Sequence, residues 1–107
     1  MSSYKIAKTL IRKGGARVNA KTKTNQTPLM MAANCGCVEL VELLLKKRAN
    51  ISTLNIEGSS ALDISVCNFQ LDIVVLLLLR GAKLRFKSST VSYSNHVIVI
   101  ILIQILL

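Results

Sequence analysis

At 107 residues the chain is long enough for one domain and no more. Apolar residues make up 51% of it and aromatic residues only 4%, which suits a core of small aliphatic side chains and excludes one built on large rings. A formal net charge of +9 permits acidic proteins, anionic lipid or nucleic acid as partners without choosing among them, and three cysteines with no framework spacing exclude a disulfide scaffold.

Met1 is followed by polar Ser2 and Ser3 and by no apolar signal-type stretch, so an intracellular, reduced and cytoplasmic setting is expected. Residues 4–14 read as a helix. Ala7, Leu10 and Ile11 fall at i, i+3 and i+4 to form its apolar stripe, with Lys5, Lys8, Arg12 and Lys13 mostly opposite. Gly14 and Gly15 stop it, because glycine takes the left-handed conformation at no steric cost. Residues 16–26 form a long connection anchored by Val18. Lys21 and Lys23 sit near its tip, and Asn25 stands where a turn needs positive φ.

Thr27 can cap and Pro28 suits a first helical position, so a helix is predicted over residues 28–35, ended by Gly36. Leu29, Ala32 and Ala33 give it a small apolar face that another helix can approach closely. A second helix is predicted over residues 38–47, burying Leu40, Val41, Leu43 and Leu44. Glu39 and Glu42 lie near its start and Lys46 and Lys47 near its end, as the helix dipole favours, and Glu42 with Lys46 makes an i,i+4 pair of the better polarity.

Residues 49–59 form another connection, with Gly58 at its turn, and helices follow over residues 61–68 and 71–80. The last is apolar nearly all round, which calls for cover on every side. Residues 88–95 are a polar linker. Val97 to Leu107 is a run of Val, Ile and Leu broken only by Gln104. As a helix that run spans about 16 Å, short of the ~30 Å hydrocarbon core of a bilayer. It is equally readable as an apolar segment packing on the preceding helix, as an aggregation-prone strand, or as the end of an aberrant product never selected to fold.

Much of this pattern repeats every 33 residues. Thr27-Pro28-Leu29 returns as Ser60-Ala61-Leu62, Leu43-Leu44 as Leu76-Leu77, Ala49 as Ala82, Ile51 as Leu84 and Asn25 as Gly58. A fixed period of this size means stacked repeats. The run from Thr27 to Ala33, then Gly36, then Val38 to Leu45, then Ala49-Asn50-Ile51, resembles an ankyrin repeat, and the likeness covers about residues 4–87. It implies an all-α fold, an ankyrin-repeat α-solenoid of stacked helix-turn-helix units with hairpin-like finger loops, plus an apolar C-terminal tail. The expected division is a domain over residues 1–87 (half repeat 4–20, repeat 21–53, repeat 54–86) followed by the linker and tail at 88–107. Against the family pattern, Ala61 replaces the proline, Met30 and Asp63 stand where histidine is usual, and Phe69 stands where the preceding repeat has Gly36. Asn68 is the expected left-handed residue of that second turn.

The resemblance further implies a non-enzymatic protein-protein interaction module, a scaffold or adaptor, needing no cofactor. Such modules meet partners on the concave face of finger tips and inner helices. Carried over by position, the contact residues are Lys21, Lys23, Met31 and Asn34 from one repeat and Glu57, Ile64, Asn68, Arg85 and Lys87 from the next. The expected partner is a protein, with the basic surplus favouring an acidic one, and nucleic acid is disfavoured. An alternative is a peripheral membrane protein using the basic cluster at 80–87 and the tail at 97–107. A third reading is a fragment of a longer repeat protein.

Other chemistry is poorly supported. Cys35, Cys37, Cys67 and His96 lack the usual zinc spacing, and neighbouring repeats at about 10 Å place them too far apart to share one ion. Cys35 with His96 has no orienting carboxylate or oxyanion hole to go with it. Gly14-Gly15 is not followed by the Lys-Ser/Thr of a phosphate loop. The glycosylation-type triplets at Asn25 and Asn50 fall where the repeat places a turn and a loop.

Val75 and Leu79 align with Glu42 and Lys46 one repeat earlier, positions that face solvent. Cover from the tail or a partner is expected there. The double change Val75→Glu, Leu79→Lys is then expected to destabilise the chain or break its association, measured by urea denaturation and sedimentation. A gain in solubility with unchanged stability would show the surface to be bare.

Overall fold

Local signals close every helix within residues 17–83, the span that a computed structural model describes, and side-chain caps open two of them. Within that span four helices form: α1 Pro28–Cys35, α2 Val38–Lys46, α3 Ala61–Cys67 and α4 Leu71–Leu79. The helix expected at 4–14 and the segment from residue 84 onward lie outside the described residues. So do all but residues 17–20 of the half repeat.

The two inner helices, α1 and α3, start by different chemistry at the same register. Thr27 is extended, and its Oγ1 accepts from the Met30 N–H at 3.2 Å while Pro28 takes the first turn. Ser60 replaces Thr27 and closes a reciprocal box with Asp63. The Asp63 N–H donates to Ser60 Oγ at 3.2 Å and the Ser60 N–H to Asp63 Oδ2 at 2.9 Å. Asp63, a departure from the family pattern, is thus the carboxylate that compensates for the missing proline.

All four helices end alike. A residue with positive φ follows each, at Gly36 (72°), Arg48 (66°), Phe69 (54°) and Gly81 (93°). The bonding is the same each time. At the first turn the Gly36 N–H donates to the Ala33 carbonyl and the Cys37 N–H to that of Ala32. At the third, the Phe69 N–H donates to Val66 and the Gln70 N–H to Ser65. Asn68 was expected to be the left-handed residue, but it keeps φ −96°. The reason is register: the paired carbonyls of α3 demand the left-handed residue 33 positions after Gly36, and Phe69 occupies that place despite its Cβ.

The finger loops repeat as faithfully. Thr22 Oγ1 accepts from the N–H groups of Thr24 (3.3 Å) and Gln26 (3.1 Å), and Asn55 Oδ1 from those of Glu57 and Ser59, both at 3.0 Å. In each finger the same residue also donates its N–H across the loop, Thr22 to Gln26 and Asn55 to Ser59. Asn25 and Gly58 take the positive φ at the tips. The fingers are therefore hairpin-like turns held by one side-chain oxygen, and no strand forms among the described residues. The Ile56 N–H donates to the Thr24 carbonyl at 3.1 Å and joins one finger to the next.

Inner helix packs on outer helix within each repeat, and α1 packs on α3 and α2 on α4 between repeats. Leu29, Met30, Ala32 and Ala33 of α1, Val41 and Leu44 of α2, Leu62 and Val66 of α3, and Ile73, Val74 and Leu77 of α4 form one core, joined at its edge by Val18 and Ile51. Two expectations for α2 change. Leu40 and Leu43 are half-buried while Leu45 is buried, because a helix in a stack is covered by the next repeat as well as its own partner. Glu42 and Lys46, both exposed, form no ion pair, consistent with the small gain such a pair offers against side-chain entropy. Leu79 is 70% exposed and Val75 half-buried on the outer side of α4. The tail expected to cover them lies outside the described residues.

Candidate functional site

The stacking of α1 on α3, with a finger rising from each repeat, leaves a groove of about 620 Å³ along the inner helices. Its floor carries Met30, Met31, Asn34, Ile64, Cys67 and Asn68. Its finger side carries Gln26, Asn55, Glu57 and Ser59. The helical period explains the floor: Met31 and Asn34 lie one turn apart on the face of α1 opposite Ala32 and Ala33, and Ile64 and Asn68 lie four apart on α3 and its cap.

Five of the residues carried over from the family pattern come together here, namely Met31, Asn34, Glu57, Ile64 and Asn68. Lys21 and Lys23 are exposed on the first finger but do not line the groove. Arg85 and Lys87 lie outside the described residues. Sequence reasoning passed over Gln26, Met30, Asn55, Ser59 and Cys67 as groove residues. The signal for Asn55 was present, since it stands 33 residues after Thr22 and both side chains hold a finger in shape.

Across the floor, the Asn68 side-chain amide donates to Asn34 Oδ1 at 2.9 Å and ties one repeat to the next. Met31 is 47% exposed, a large adaptable apolar side chain facing the groove. Burial pushes the Cys67 thiol pKa up, and the Asp63 carboxylate nearby pushes it further in the same direction. A thiol held protonated is a poor nucleophile and a poor metal ligand. Cys35, Cys37 and Cys67 are all free thiols, and no group of three or more potential ligands gathers among the described residues. No helix among them is long and apolar enough to cross a membrane.

A family model described as ankyrin repeats in three copies matches residues 1–88. The B-cell lymphoma 3 protein homolog of Mus musculus is 36% identical over 84 residues, which are 78% of this chain and 19% of that protein. Among solved structures, a chain in the complex of a predatory endopeptidase from Bdellovibrio bacteriovorus with an immunity protein matches with a TM-score of 0.68 and 37% identity. The match covers 71% of this chain and 39% of that one. The chain thus spans about a fifth of the mouse relative and well under half of the matched structural chain.

Proposed function

Because this chain belongs to the ankyrin-repeat family, a family of non-enzymatic interaction modules, we propose that it is a protein-binding scaffold or adaptor that holds its partner in the groove along α1 and α3. The observation that carries this reading is the gathering of Met31, Asn34, Glu57, Ile64 and Asn68 on one concave surface. Packing the core calls for none of Met31, Asn34, Glu57 and Asn68, all of which are exposed. The solved structure that the chain resembles is itself a protein–protein complex, which supports the same reading.

Site-specific photo-crosslinking tests it. A benzophenone side chain at Met31 is expected to capture a discrete protein partner in cells, and one at Glu42 on the outer helix is not. Capture only from position 42, or from neither position, would overturn the assignment of the groove.

A further inference from the structure

We propose that the groove takes an extended peptide segment in which apolar side chains alternate with cationic ones. This rests on the protein-binding reading above and specifies the partner's chemistry.

The requirement for extended backbone comes from the two asparagines. Each side-chain amide offers a carbonyl oxygen and an NH₂ group. Their mutual bond uses the Asn34 oxygen and one Asn68 proton, which leaves the Asn34 NH₂ as donor and the Asn68 oxygen as acceptor, side by side on the groove floor. Exchanging O and N in both amides leaves the same set, one donor and one acceptor. A peptide unit presents this complement through its own C=O and N–H, but only where those groups are not used internally. A helix spends them along its axis, and an extended segment keeps them available. Met31 and Ile64, on neighbouring inner helices, give an apolar side chain a place to rest. In an extended segment every second side chain shares a face, so the residues between turn toward the finger wall.

The sign of the charge comes from that wall. Among the described residues, Glu57 is the single charged side chain lining the groove. It is exposed and forms no ion pair among the described residues. Lys21 and Lys23 stand on the finger outside the groove lining. The net charge of +9 therefore misleads about this site. Whole-molecule charge governs long-range approach, whereas the bound state is decided by the groups at contact.

The full chain carries three methionines, so ¹³C-methyl spectra resolve Met31 as a direct reporter on the groove. The probes are three end-blocked peptides of sequence Gly-X-Leu-X-Leu-X-Gly, with X as Lys, Ser or Glu. The lysine peptide is expected to shift the Met31 methyl at about fivefold lower concentration than the serine peptide, the size of one good exposed ion pair, with the glutamate peptide weakest. Glu57→Gln is expected to erase the preference and Glu57→Lys to reverse it. Equal or tighter binding of the glutamate peptide, or an order indifferent to residue 57, would overturn the cationic specificity. No shift with any peptide, while the Met31 crosslinker still captures a partner, would overturn the extended-peptide chemistry and leave the groove assignment standing.

Discussion

Leu62→Ala is expected to cost about 2–5 kcal/mol, the range for removing a large aliphatic side chain from a core. Leu62 is 1% exposed on α3, the helix that packs both on α1 in the preceding repeat and on α4 in its own. In a stack, stability is the sum of repeat terms and nearest-neighbour interfaces. Weakening α3 therefore weakens an intra-repeat and an inter-repeat interface together. Whole domains hold only about 5–15 kcal/mol in reserve, so this change takes a large share of it. Urea denaturation followed by far-ultraviolet circular dichroism reads the effect. Ile56→Ala is the control: that side chain is 66% exposed, and its loss is expected to stay within about 0.5 kcal/mol. Equal costs for the two changes would contradict the packing described above.

Opposite signs are expected from Gly36→Ala and Phe69→Gly, two substitutions at the same place in consecutive repeats. Both positions lie in the left-handed region, at φ 72° and 54°. A Cβ there costs roughly 1–2 kcal/mol. At Gly36 it would also stand 2.7 Å from Gln70 Nε2 and 2.9 Å from Gln70 Cδ and Oε1. The tip of a glutamine side chain can turn away, so backbone strain makes up most of the cost, and Gly36→Ala is expected to destabilise by about 1–2 kcal/mol. Phe69→Gly relieves the same strain. It gives back part of the gain through the freer unfolded chain and through the apolar contacts of a ring that is 45% exposed. A net stabilisation of up to about 1 kcal/mol remains, worth about 4–8 °C in Tm for a chain of this size. Thermal melts of the two variants beside the parent decide it. Shifts of the same sign would show that the turns are not equivalent.

Helix and turn positions were legible in the sequence because their causes are local. Thr27-Pro28 opens α1 through a hydroxyl and a missing N–H, Gly36 closes it, and Asn25 and Gly58 mark the finger tips; each acts within a few residues of itself. The 33-residue period was legible for the same reason, since identical local solutions recur. The candidate site was half legible. Met31, Asn34, Ile64 and Asn68 follow from helix phase, whereas the absence of Lys21 and Lys23 from the groove lining depends on how the fingers sit over the inner helices.

Tertiary structure decided what no short window contains. It buried Leu45 and left Leu40 and Leu43 half-covered, since cover comes from the neighbouring repeat. Above all it set the sign of the groove. Net charge is a sum over the whole chain, but which charges line a surface depends on the folded positions of residues far apart in sequence, and among the described residues those positions make Glu57 the one charged side chain of the groove lining.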